Sequence, residues 1–354
     1  MNSALSTREK AVELANELVE DCNIQLRAKI AYRRSVLMRL KGDVVCSQQI
    51  IQTFLSSLSS SANSLYVEDL ASLYISQANN YAYYLRFQEA HMEAQRWAPR
   101  QDCLVLWDHV LCVGRLMRGQ GNFQAAKTCF ETCLQSPDLP KSKRLLVKSA
   151  LADVYCELDE AIEEASYLLR AEDLVRPEIE QFRQSAARTS KGFRRLLMAL
   201  LEIEIKKSNN GDAGVLACEL LNQFTSLEEP DIVDRLGHVR TLVAFARLSP
   251  TWEESLSRWN NVLIWGRHYN PQDEDVFMCG VVYLFLCLAW YHLGHAEKSK
   301  EIFQVAMNVI AKRRHQYFIP GVGTYLFRGI YSQVQSMTGW MELGGFCIPS
   351  YQLT

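Results

Sequence analysis

Residues 107–140 read WDHVLCVGRLMRGQGNFQAAKTCFETCLQSPDLP, and this stretch decides the fold. In its first half Val110, Val113, Gly114 and Met117 recur at three- and four-residue steps, the spacing that gathers side chains on one face of a helix. Gly119 to Gly121 ends that helix. A second helix then carries Phe123, Ala126, Phe130 and Cys133 in the same rhythm. Asn122 stands where its side chain can accept from the first free N–H groups of the second helix. Gly114 and Ala126 let the two helices approach closely, and Phe130 is expected to fill the gap between this hairpin and the next. One hairpin leaves an apolar face uncovered, so neighbours must stack on it.

The order returns 38 residues on, with Ala152 in the place of Gly114, Tyr155 of Met117, Leu168 of Phe130 and Ala171 of Cys133. A third copy places Val243 and Ala246 on the first helix, Trp252 after the turn, and Ser255, Trp259 and Val262 on the second. Thr251 and Glu254 have the spacing of a capping box for that second helix. A fourth copy uses Cys287, Trp290, Leu293, Gly294, Ala296, Ser299, Phe303 and Ala306. Helix breaks are expected at Pro99, Pro137, Pro140, Pro177, Ser208 to Gly211, Pro230, Pro250 and Pro271. The weaker patterns of Leu70 to Trp97 and Arg194 to Phe224 would extend the array.

Small, aromatic, turn glycine, small, aromatic, small in a helix-turn-helix resembles the tetratricopeptide repeat, best at Gly114, Gly121, Phe123, Ala126 and Phe130. The strict Trp-x-x-Leu-Gly opening is absent, the terminal proline is displaced to Pro140 and Pro177, and the 38-residue step exceeds the family's usual length of about 34. The chain is thus similar to the divergent, long-repeat branch. The resemblance implies an all-α, right-handed superhelical solenoid of antiparallel helix pairs. Residues 1–64 would form a helical cap and linker, starting with the helical spacing of Ala11 to Leu40 and ending in the serine-rich Ser56 to Ser64. Residues 65–310 would carry the repeats, with clear pairs near 107–140, 145–177, 236–267 and 280–310. Residues 311–354 would cap the far end, the Ala311 to His315 stretch and Gly321 to Gly323 interrupting the pattern before a last amphipathic helix over Tyr325 to Met337.

Composition narrows the function. The chain has 354 residues, 48% of them apolar, enough for a large core. Lys and Arg number 38 against 40 Asp and Glu, so no long-range field draws in nucleic acid or anionic membrane. Neither partner is expected. The N-terminus lacks the apolar centre of a secretory signal, and Val281 to Trp290 is too short to span a bilayer, which takes about 20 residues. The 11 cysteines are irregularly spaced, with no Cys-x-x-Cys pair, which fits a reducing compartment. A cytoplasmic location is expected, and a nuclear one is compatible.

No site chemistry emerges. Cys129 and Cys133 look like small core residues, and His292 with His295 lacks a second pair of ligands. His109 beside Asp108 has no nucleophile, and no Gly-rich phosphate loop is present. The carboxylates Glu163, Glu164, Glu172 and Asp173 fit a solvated helix face. So do the basic clusters Lys141, Lys143, Arg144 and Lys312, Arg313, Arg314. No cofactor or metal is expected, and no enzymatic activity. The expected function is a protein-interaction adaptor or scaffold. The alternatives are a ligand-sensing regulatory superhelix and an accessory protein of a specialised metabolic pathway.

In stacked hairpins the first helix of each pair faces the concave side. The positions expected there are Asp108, Leu111, Arg115 and Arg118; Asp153 and Cys156; Arg240 and Arg247; and Leu284, Leu288 and Tyr291. The arginines offer planar forks for carboxylates of an acidic or C-terminal peptide. Some family members bind chaperone C-termini through a clamp of two lysines, two asparagines and an arginine. Leu111 and Arg115 stand where its first lysine and asparagine would lie, so a standard chaperone adaptor is not expected.

Overall fold

The computed structural model describes residues 5–17, 23–58, 66–83, 86–96, 105–120, 122–162, 166–185, 187–268 and 277–317, and among them every regular element is a helix. A first helix, α1 (Leu5–Glu17), lies on α2 (Ile24–Lys41), which pairs with α3 (Val44–Ser57). Then come α4 (Val67–Tyr83) with α5 (Phe87–Arg96), α6 (Leu106–Gly119) with α7 (Phe123–Gln135), and α8 (Lys141–Ile162) with α9 (Ser166–Arg183). The array continues with α10 (Lys191–Lys206) and α11 (Asn210–Thr225), α12 (Ile232–Arg247) and α13 (Trp252–His268), and α14 (Phe277–His292) and α15 (Ala296–Tyr317). Each second helix also packs on the first helix of the next pair, as in a helical solenoid.

The ends of these helices are set locally. Asn122 Oδ1 accepts from Ala125 N at 3.1 Å, and Asp231 Oδ1 from Val233 N and Asp234 N, both at 3.0 Å. Thr251 Oγ1 accepts from Glu254 N at 3.3 Å, but the Glu254 carboxylate turns to Arg258 at 2.6 Å, so only half of a capping box forms. Gly42, at φ 101°, closes α2 in the left-handed region while Asp43 N bonds back to Met38 O at 2.9 Å, which permits an abrupt reversal into α3.

The core follows the apolar stripes. Phe130 is fully buried and lies so tightly on Gly114 that a Cβ there would stand 2.6 Å from its Cζ and closer still to Cε1. Trp259, Val262, Cys287, Phe303 and Ala306 are also buried. Ser299 Oγ donates to Cys287 O at 2.9 Å, which ties α15 to α14.

Several sequence expectations are corrected. Pro177 does not end a helix: α9 runs through it. Pro177 and Asp173 share the exposed face, so the Asp173 carbonyl that loses its partner is left to water. Tyr167, Ala171, Val175 and Ile179 on the other face hold the helix down. Leu168 is half-buried, and Tyr167 takes the inward place, stacked on Tyr155 at 5.6 Å. Trp252 is 62% exposed whereas Trp259 is 1% exposed, because the first turn of α13 projects beyond its neighbours. The Ala311 to His315 stretch continues α15 rather than interrupting it. Pro99, Pro271, Gly321 to Gly323 and Tyr325 to Met337 lie outside the described residues.

One long-range feature positions the site. The helices α2, α4, α6, α8, α10 and α12 follow one another round, and α12 returns to touch α2. Ile232 Cδ1 lies 3.4 Å from where a Cβ on Gly42 would stand, Val44 and Ile232 form a small buried cluster with Tyr83 against it, and Ser6 N donates to Glu229 Oε2 at 2.9 Å. These contacts close the series of first helices on itself, α12 against α2.

Candidate functional site

The ring is lined by charge pairs that join one first helix to the next. On α6, Arg118 donates to Glu157 Oε1 from Nε at 2.9 Å and from Nη2 at 2.7 Å, and its Nη1 reaches Asp153 Oδ2 at 3.0 Å, both on α8. Asp108 is engaged by Lys143 of α8. Between α10 and α12, Lys191 holds Asp231, Arg194 holds Asp234 at 3.1 Å, and Arg240 holds Glu202 at 3.0 Å. Burial pushes the Glu202 carboxyl up, but Arg240, Lys206 and Arg247 outweigh it and keep the group below its ordinary pKa. These pairs cross-link adjacent repeats.

Arg115 and Arg195 are different. Arg115, on α6, is exposed to water, and Arg195, on α10, is half-buried; among the described residues neither has an ion pair. Protein nevertheless surrounds Arg115 closely enough that desolvation, reinforced by Arg195 and Arg118, lowers its pKa to about 10. Tyr83, at the end of α4, feels Arg39, Asp231, Arg195 and Arg115 at once, and its own burial is the largest influence, raising the phenol pKa so that the hydroxyl stays a donor. Charged groups of three helices that are not sequence neighbours, α4, α6 and α10, thus act on one another electrostatically.

The other groups in this region are engaged. Arg39 is buried, and its Nη1 donates to Asn80 Oδ1 at 2.7 Å and to Ser76 O at 3.1 Å. Asp231 both caps α12 and holds Lys191. Arg115 and Arg195 are left without an ion pair among the described residues, and each guanidinium presents a planar fork of N–H donors that can hold an anion.

The residues expected on the concave side divide into groups. Asp108, Arg118, Asp153 and Arg240 lie in the inter-repeat pairs, and Arg115 stands in the cationic region. Arg247 is exposed and acts on Glu202 and His292, and Tyr291 packs edge-on against His292 at 5.6 Å. Leu111, Cys156, Leu284 and Leu288 do not line a groove: all four are buried, their helix faces being covered by the partner helix and the next repeat. Burial carries the Cys156 thiol well above its ordinary pKa. Arg195, Tyr83, Lys191 and Asp231 carry no repeat signature: Lys191 meets Asp231 because α10 and α12 are neighbouring first helices, and Tyr83 packs on the seam between α2 and α12.

The other clusters have structural roles. Arg144 donates to Leu134 O at 2.8 Å and Ser136 O at 3.1 Å, closing the end of α7, while Glu172 is held by Arg176 at 2.7 Å and Lys207 at 2.8 Å. His292 stacks on Trp259 at 4.3 Å, and His109 Nε2 meets Ala94 O at 2.8 Å. Among the described residues no group of three or more His, Cys, Asp or Glu could hold a metal ion, and no helix is long and apolar enough to cross a membrane.

No protein-family model matches the chain, and no curated protein matches it. Among solved structures it is similar to BtubC (BKLC) from P. vanneervenii, with 14% identity and a TM-score of 0.41 over 70% of this chain and 91% of that one. It is also similar to human IFIT1, solved as a dimer with m7Gppp-AAAA, with 14% identity and a TM-score of 0.35 over 93% of this chain and 81% of that one.

Proposed function

We propose that this chain is a non-catalytic adaptor or scaffold, a right-handed superhelix akin to tetratricopeptide repeats that holds a segment of a partner protein inside its ring. The observation that carries this reading is Arg115: exposed on a first helix and without an ion pair among the described residues, while the carboxylates Asp153 and Asp231 are already engaged. Folding alone gives no reason to desolvate such a cation, whereas a ligand that supplies the missing anion does. The charge pairs between successive helices support the same reading, because they hold the wall rigid and so lower the ordering cost of binding.

The test is capture of partners from a lysate by wild-type protein and by a folded Arg115→Glu variant, with retained proteins measured by mass spectrometry. Arg240 is left intact, since reversing it would break its pair with Glu202 and loosen the stack. A stoichiometric partner held by the wild type and absent from the variant is the expected result. Equal retention by both proteins would remove Arg115 from the account.

A further inference from the structure

We infer that the cleft between the start of α8 and the end of α9 binds a small organic anion with an apolar body. This goes beyond the binding-module reading and does not depend on it: no side chain that lines the cleft belongs to the charge pairs between first helices, and Arg115 is not among them.

The cleft has a volume of about 530 Å³. Small-molecule sites occupy about 300–1,000 Å³, so the space suits a ligand of that kind. Its apolar wall is Leu145 of α8 and Phe182 of α9, both half-buried against the core. The Phe182 ring stacks on Phe193 of α10 at 5.7 Å and is therefore held before any ligand arrives. The rim at the end of α9 is fixed in a similar way: Ser185 Oγ donates to Phe182 O at 2.9 Å and accepts from Ala187 N at 3.2 Å. A wall ordered in advance lowers the cost of binding.

Charge then selects the head group. Two cations line the cleft, Lys141 at the first position of α8 and Arg144 in the same turn. Lys141 is exposed, and among the described residues neither cation has an ion pair. Arg144 directs Nη1 to Leu134 O at 2.8 Å and Nη2 to Ser136 O at 3.1 Å, two neutral carbonyls that fix the guanidinium without cancelling its charge. The carboxylate in the cleft, Glu178, is already held by Lys148. The lining therefore combines a surplus of positive charge with an apolar wall. A bare inorganic anion would leave Leu145 and Phe182 wet, and an amine would meet Lys141 and Arg144 as a like charge, which is a device for rejecting it. An anion on a hydrocarbon body complements both.

The experiment titrates the full chain by isothermal calorimetry at neutral pH with pairs of ligands that share a skeleton and differ in charge: octanoate and octylamine, phenylbutyrate and phenylbutylamine, indoleacetate and tryptamine. At least one acid should bind one to one with a Kd of about 1 mM or tighter, and about tenfold or more tightly than its amine. Lys141→Glu reverses the exposed cation and should weaken that acid by about tenfold or more. Gln181→Trp adds bulk at an exposed position of the lining and should weaken it by about the same factor. Arg144 is left intact because it closes the end of α7, and circular dichroism confirms that both variants are folded. Inorganic phosphate at the same concentration should not displace the acid. Equal affinity for acid and amine, or binding unchanged by Lys141→Glu, would overturn the anion assignment. Binding unchanged by Gln181→Trp would overturn the cleft as its place, and full displacement by phosphate would show that Leu145 and Phe182 contribute nothing. No acid bound up to about 5 mM would refute the inference as a whole.

Discussion

Gly114 and Phe130 permit a test in which one substitution changes sign with its background. A methyl group at position 114 would lie 2.6 Å from Phe130 Cζ and 3.1 Å from Cδ1, against a comfortable carbon separation of about 3.5–4.0 Å. Phe130 is fully buried and cannot swing aside. An overlap of this size belongs at the upper end of the overpacking range, about 3 kcal/mol. Alanine is also better than glycine inside a helix by about 1 kcal/mol, so Gly114→Ala should destabilise the wild type by a net ~2 kcal/mol. Phe130→Ala alone should cost about 3–5 kcal/mol through reduced burial and the cavity it leaves. With the ring gone, Gly114→Ala meets nothing and its helix preference dominates, so it should now stabilise by about 1 kcal/mol. The cycle therefore predicts a coupling of about 3 kcal/mol, read from urea unfolding followed by far-ultraviolet circular dichroism for the four proteins. If Gly114→Ala stabilised both backgrounds equally, the ring would not lie on Gly114 and the hairpin register would be wrong.

The remaining predictions concern charge, pH and exposure. Arg118→Met removes the guanidinium that binds Glu157, whose side chain is 3% exposed, and should cost about 3–5 kcal/mol in the same unfolding assay; a loss under 1 kcal/mol would mean the pair is unimportant to the stack. His238 lies between Phe224, at 5.6 Å, and Trp265, at 4.9 Å, and burial lowers its pKa from 6.5 to about 4. Its neutral form is the one the fold accepts, so its contribution is complete above pH 6.5 and is lost as pH falls through about 4, roughly 3 kcal/mol in all. His238→Phe should flatten that part of the pH–stability profile, and an unchanged slope would show that other groups set it. Trp259→Ala should cost about 3–5 kcal/mol while Trp252→Ala stays within about 0.5 kcal/mol; comparable losses would contradict the placement of α13.

What the sequence made legible was local. The hairpin turn, the Asn122 cap and the inward places of Phe130, Trp259 and Phe303 follow from three- and four-residue spacing and from a side chain reaching its own backbone. Pro177 misled because proline signals a break only where the freed carbonyl would be buried, and its exposure depends on which face the next helix covers. Trp252 misled for a similar reason: spacing gives the face of a residue, not whether a neighbour extends far enough to cover it. Arg115 stands out in the sequence because it lies off the apolar stripe of α6. Its electrostatic effect on Arg195 and Tyr83 does not, since their helices are far apart along the chain, as are Gly42 and Ile232, which close α2 on α12. No periodic pattern encodes that closure.

The seam also has a kinetic meaning. Most of the array can assemble hairpin by hairpin, each docking on a neighbour already made, and such local structure forms quickly. Joining α2 to α12 must wait until the repeats between them are in place, although its entropic cost grows only with the logarithm of the intervening length. The seam buries little beyond Val44 and Ile232, so it should also be the first part of the ring to open, with amide exchange in α1 and α2 faster than in α8 or α10. Tyr83 packs against this seam, so its surroundings take their final form at the last step of folding. A ligand that joins both sides of the seam would slow its opening.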